Sequence, residues 1–279
     1  MGAQIISTAS AGGYPVVCRD GVGLPMLLIT PFTAAGSAAW LKPRRTGTRP
    51  LAILGAADLQ SLQTPAETVV RDLIDVAGWA DAPSVLVVGY SAGGFAGLLL
   101  GAMLALALPA CRVEVVVFSP IVRLRPDGAR GRNSRHRDML SQSRDSATAS
   151  ANLDRYGDAR PWIRQAMVEA GKRFSIKLLY AEANEPDRRQ AELLAETPCV
   201  TLLPMPTAQH SLYKFLVGRP DRETARAAME EYLLARGGKT PGEAQAEAMA
   251  LDAAFEAATA AHAEIRDVAW PRGAPVAAG

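Results

Sequence analysis

The sequence predicts an α/β fold, a mostly parallel central sheet with helices on both faces. Three observations lead there. Short aliphatic runs at residues 51–54 and 84–90 alternate with helical segments at 65–78 and 93–109, an order that argues for parallel strands joined by crossover helices. Val113 to Phe118 is a near-continuous β-branched run, as expected for a central strand covered on both faces. The chain has 279 residues, 49% hydrophobic and 21% charged, enough for a single α/β domain with a large core.

The elements follow in order. Residues 14–18 and 25–30 read as strands, the second entering a loop of small residues that begins Pro31-Phe32-Thr33. A further strand at 51–54 ends at Gly55. In the helix at 65–78, Val69, Val70, Leu73, Ile74 and Ala77 recur at helical spacing. Thr64 is placed to cap it, Pro65 suits the first turn, and Glu67 lies three residues after Thr64. The apolar stretch 93–109 has about 17 residues, at the lower limit for spanning a bilayer, and reads better as a buried helix.

After the 113–118 strand and Ser119-Pro120 the composition changes. Residues 123–160 are rich in Arg, Ser, Asp and Gly, with Arg123, Arg125, Arg130, Arg132, Arg135, His136 and Arg137 close together. This is the place for an insertion over the sheet edge, a lid; a solvated loop is the plainer reading. Arg123 is a candidate to meet an anionic substrate group, since bidentate recognition suits Arg. A helix at 161–171, a strand at 176–180, a helix at 188–196 and a last strand at 200–203 follow, with another helix starting near Ser211. Residues 221–236 are helical and stop at Gly237-Gly238. A second helix, 241–265, has a sparse apolar face of Met249, Leu251, Phe255 and Ala258, and residues 270–279 read as a loose tail. The chain thus divides into a core at 1–218 and a helical extension at 219–279, which packs on the core, makes a homo-oligomer contact or binds a partner.

Composition excludes several classes. A net charge of +2 gives no global case for nucleic-acid or membrane binding. Cys18, Cys111 and Cys199 are far apart without CxxC spacing, so neither a metal site nor a disulfide framework is expected; Cys111 and Cys199 border apolar runs and read as buried thiols. The N-terminus lacks a basic region followed by an apolar core, and the chain reads as soluble and cytoplasmic.

The candidate chemistry centres on Gly89-Tyr90-Ser91-Ala92-Gly93. A strand ends there and an apolar helix begins, the context required of a Gly-x-Ser-x-Gly turn that lifts a serine above the sheet edge. Backbone strain at its tip demands small residues two positions either side, here Gly89 and Gly93. A serine needs a base, and the base needs a third group to fix its tautomer. Of the three histidines, His136 lies in the Arg-rich segment and His262 in the last helix. Only His210 follows a strand at its carboxyl end, where sites form in open α/β sheets. The acid stays open: Asp187 leads, placed to cap the following helix or reach an imidazole, with Glu185, Glu182 and Asp127 behind it. Asn184 occupies a nearby position but carries no charge.

The strand, turn and helix around Ser91, the late acidic loop and His210 resemble the α/β-hydrolase superfamily across roughly residues 14–217. Within it, Phe118-Ser119-Pro120 and the run from Tyr180 to Ala191 are weakly similar to a bacterial subgroup of hydrolases, some of which accompany surface-polysaccharide genes. The resemblance implies Ser91 as nucleophile, His210 as base and Asp187 as acid. It implies an oxyanion hole from the Ala92 N–H and a donor in the 31–34 loop. There Pro31-Phe32 replaces the usual His-Gly pair, so Phe32 or Thr33 must donate. Tyr90 would touch substrate. The implied activity is that of a serine hydrolase that cleaves a carboxylic ester or thioester of a small acyl substrate through an acyl-enzyme, with no metal or organic cofactor. Acyl transfer to a carbohydrate or another alcohol, and non-catalytic binding on the same scaffold, are the alternatives.

Overall fold

The computed structural model describes residues 6–19, 21, 24–30, 51–55, 64–124, 147–210 and 222–260. The expectations for residues 31–37, 125–146 (with Asp127 and His136), the helix near Ser211, His262 and the tail lie outside them.

Eight strands form one sheet: β1 (Ile6–Ala11), β2 (Tyr14–Arg19), β3 (Met26–Thr30), β4 (Leu51–Gly55), β5 (Ser84–Tyr90), β6 (Arg112–Phe118), β7 (Phe174–Ala181) and β8 (Val200–Met205). Their spatial order is β1-β2-β4-β3-β5-β6-β7-β8. The run from β4 through β8 is parallel, while β1 and β2 are antiparallel additions at one edge. Strand β1 carries no signal strong enough to be read alone. It is fixed by its hairpin with β2, whose turn uses Gly12 (φ 57°) and Gly13 (φ 86°), the positive φ values that two-residue hairpin turns require.

Seven helices are described: α1 (Ala66–Ala77), α2 (Ala92–Ala107), α3 (Ala147–Tyr156), α4 (Arg160–Ala170), α5 (Glu185–Glu192), α6 (Arg222–Ala235) and α7 (Pro241–Thr259). The strands sort them into two layers through their period of two. Val85, Val87, Val113, Val115, Val117, Ile176 and Leu178 point into one core with α1, α2 and α4. Leu86, Val88, Tyr90, Val116, Phe118 and Leu179 point into the other. That second core is closed by Met229 and Leu233 of α6 and Ala244, Ala248, Leu251 and Phe255 of α7. The C-terminal helices therefore pack on that face of the sheet.

Helix α2 is apolar all round because it is buried all round from Gly93 to Ala105. Gly101 lets it lie close on the sheet: a Cβ there would sit 2.5 Å from Val115 Cγ2. Among the described residues no helix is long and apolar enough to cross a membrane.

Two local expectations are corrected. Thr64 does not cap α1; the cap position is Pro65 with no side-chain hydrogen bond. The Thr64 hydroxyl instead donates to Gly12 O at 2.8 Å, and Glu67 accepts from the Tyr156 hydroxyl and pairs with Arg155. The long loop read at 123–160 contains helix α3. Its two ends are joined, with Leu124 N donating to Gly157 O and Ala159 N to Val122 O.

Candidate active site

Strand β5 runs straight into Ser91, and α2 begins at the next residue. Ser91 has φ 49° and ψ −117°, a conformation costing about 1–3 kcal/mol for a residue with a Cβ. Neighbouring backbone holds it there: Ser91 N donates to Phe118 O at 2.8 Å, and Gly94 N donates back to Ser91 O at 2.9 Å. Gly89 is required by close approach, since a Cβ on it would meet Gly93 O at 2.5 Å.

The other two groups come from the segments that follow the carboxyl ends of β7 and β8: Asp187 in the first turn of α5 and His210 in a loop. Ser91 Oγ lies 2.8 Å from His210 Nε2, and His210 Nδ1 lies 2.7 Å from Asp187 Oδ1. A carboxylate only accepts, so Nδ1–H donates to Asp187 and Nε2 is left to accept from the Ser91 hydroxyl. Asp187 is 6% exposed, whereas the His210 side chain is 40% exposed. The arrangement can draw a proton off Ser91 while a buried carboxylate steadies the resulting imidazolium.

Asn184 builds the acid loop. It is the N-cap of α5, its Oδ1 accepting from Asp187 N at 3.3 Å, so Asp187 sits in the first turn and is not the cap that the sequence suggested. Asn184 Nδ2 donates to Ala208 O at 3.1 Å, tying the acid loop to the histidine loop. Glu185 points elsewhere, pairing with Arg189 on the exposed side of α5. Among the described residues no hydrogen bond links Glu182 or Glu185 to His210.

Ala92 opens α2, so its N–H is one of the four that lack an intrahelical acceptor. Phe32 and Thr33 lie outside the described residues. Tyr90 is not brought to the site: it is 1% exposed, and its ring stacks on Phe118 at 5.2 Å, which stacks on Phe255 of α7 at 5.8 Å. Arg123 is engaged at the base of the insertion, 3.6 Å from Asp158 and bridged to it through the backbone. No cluster of metal-ligating side chains occurs among the described residues. Burial pushes the Cys111 and Cys199 thiols up from their ordinary value; Cys111 is buried as expected, while Cys199 is only half-buried.

Two residues stand out to which the sequence reading gave no role of their own. Ser119, one position past β6, has φ 43°. It is 1% exposed, and its hydroxyl has no hydrogen-bond partner among the described residues. Thr207 is buried in the histidine loop and hydrogen-bonded to Glu247 of α7. No local pattern marks Thr207, because its role depends on a contact with a helix 40 residues further along the chain.

No protein-family model matches the sequence, and no curated protein does. Solved structures do. Carboxyl esterase 2 from the mycorrhizal fungus Tuber melanosporum superposes with a TM-score of 0.53 at 12% identity, covering 89% of this chain and 86% of that one. A serine hydrolase involved in carbazole degradation gives 0.43 at 15%, over 83% and 100%. The deformylase of N-formylmaleamic acid from Pseudomonas putida S16 gives 0.43 at 16%, over 73% and 93%. The likeness to the esterase is one of fold: this chain has the α/β-hydrolase fold.

Proposed function

We propose that the protein is a serine hydrolase that cleaves a carboxylic ester or thioester through an acyl-enzyme. One observation carries the reading: a serine in strained backbone at a strand-to-helix turn, hydrogen-bonded to a histidine that is itself hydrogen-bonded to a buried carboxylate. Ser91 Oγ attacks the acyl carbonyl carbon as His210 Nε2 takes its proton. The carbonyl oxygen becomes an oxyanion facing the free N–H groups at the start of α2, the Ala92 N–H first among them. Collapse expels the alcohol or thiol, which takes the proton from Nε2. Water then enters by the same steps in reverse, losing a proton to Nε2 and releasing the acid and Ser91. Asp187 keeps the proton on Nδ1 and balances the imidazolium charge throughout. Every proton and electron pair comes from these groups, the acyl substrate and water. The site is proposed to act on a small molecule in the cytoplasm.

The test is labelling by a fluorophosphonate probe, read by mass spectrometry. The wild type is expected to label at Ser91, and Ser91→Ala and His210→Ala to lose the label while melting as the wild type does. A folded wild-type protein that stays unlabelled would defeat the proposal.

A further inference from the structure

The His210 side chain is 40% exposed. Packing alone does not hold such a ring, so its position depends on the hydrogen bonds of the loop that carries it. That loop is hydrogen-bonded to helix α7. Lys239 Nζ lies 2.8 Å from Glu247 Oε2. Glu247 Oε1 accepts the Thr207 hydroxyl proton at 2.6 Å, and Thr207 Oγ1 accepts the Gln209 N–H at 3.1 Å. The Thr207 carbonyl also accepts Ala183 N–H at 3.1 Å, beside Asn184 and the acid loop.

The order of donors and acceptors matters. A threonine hydroxyl has one proton and two lone pairs. A carboxylate takes that proton in a strong charge-assisted bond, which turns the lone pairs toward Gln209. The turn so closed ends at Gln209, the residue before His210. Thr207 is 4% exposed, and the Glu247 side chain is 14% exposed, so water competes poorly for either bond.

We propose that Thr207 and Glu247 are positioning residues. They fix the loop at 206–210 so that the His210 ring meets Ser91 and Asp187, which makes helix α7 a working part of the site. This rests on the serine-hydrolase reading.

The experiment compares Thr207→Val, Thr207→Ser, Glu247→Leu, Glu247→Gln and the Thr207→Val/Glu247→Leu pair with the wild type. The readouts are the rate of fluorophosphonate labelling, kcat and KM on p-nitrophenyl acetate, and the melting temperature. Thr207→Val and Glu247→Leu are expected to slow labelling and kcat by roughly 10- to 100-fold, the scale of an ~1 Å misplacement of a reacting group, with KM little changed. Thr207→Ser and Glu247→Gln, which keep a donor and an acceptor, restore most of the rate. The double variant is no slower than the slower single, because both act through one contact. If Thr207→Val does not fold, Glu247→Leu carries the comparison. Wild-type rates in Thr207→Val or Glu247→Leu, with wild-type Ser91 labelled, overturn the positioning role and leave the hydrolase reading intact. So does a loss of rate that Thr207→Ser fails to restore. An unlabelled wild type overturns both.

Discussion

Replacing Asp187 by Asn changes one oxygen to an amide nitrogen and barely alters volume. Asp187 Oδ1 accepts from His210 Nδ1 at 2.7 Å, and His210 Nε2 faces Ser91 Oγ at 2.8 Å. An amide NH₂ against Nδ1 favours the opposite tautomer, with the proton on Nε2, and that nitrogen can then no longer accept from serine. The substitution also removes the buried negative charge that stabilises the imidazolium. The matching exchange in serine proteases lowers kcat about 10⁴-fold. A loss of about 10³- to 10⁴-fold is expected here, or about 4–5.5 kcal/mol at 1.36 kcal/mol per decade. Stability should barely follow. Asp187 also sits in the first turn of α5, where a carboxylate contributes about 0.3–1 kcal/mol against the helix dipole, and its second oxygen has no hydrogen-bond partner among the described residues. The assay is hydrolysis of p-nitrophenyl acetate alongside thermal melting, with Glu185→Gln as the comparison, because Glu185 faces Arg189 and is expected to be silent. A loss below tenfold in Asp187→Asn, or an equal loss in Glu185→Gln, would refute the assignment of the acid.

Gly89→Ala drives a Cβ to 2.5 Å from Gly93 O. Overpacking of this kind costs about 1–3 kcal/mol, and here it falls on the turn that aims Ser91, so labelling should fall more steeply than the melting temperature. Ser119→Ala removes a buried hydroxyl that lacks a partner among the described residues. An unsatisfied buried group costs about 1–3 kcal/mol, so the variant should melt at or above the wild-type temperature in urea and thermal scans. For Asp72, the Gly12 N–H at 2.8 Å, with Arg71 beside it, outweighs desolvation and holds the carboxyl below its ordinary value of 3.8. A folded value below the unfolded one stabilises above the unfolded value and is lost as pH falls through the folded one. Asp72→Asn should therefore flatten the acid limb of a stability-against-pH curve below about pH 4, the window set by the unfolded carboxylate; an unchanged limb would show that this contact contributes nothing.

How far the sequence reached depended on whether a feature is written locally. The parallel strands and the helices between them were legible because period and length are local properties: Val113 to Phe118 announces a buried strand by its own composition. That Ser91 and His210 meet was legible for a related reason, since each is marked by the strand end that it follows. The acid was narrowed but left open, because Asp187, Glu185 and Glu182 differ only in which way the loop turns. That turn is set by Asn184, whose side chain accepts from Asp187 N and donates to Ala208 O. The residue that lacks charge for the proposed acid role is thus the one that positions Asp187. Tyr90 and Thr64 were misjudged because each has a local role that fits and a distant partner that takes priority: Phe118 for the one, Gly12 O for the other. The same logic governs the C-terminal helices. Their apolar positions in sequence are sparse, yet Leu251 and Phe255 are fully buried against the sheet face opposite α2. A helix that closes the core and also holds the Thr207 hydroxyl couples the stability of this face to the placement of His210. Variants in α7 that loosen its packing, as Phe255→Ala would by about 3–5 kcal/mol, are for that reason expected to lose turnover before they lose the fold.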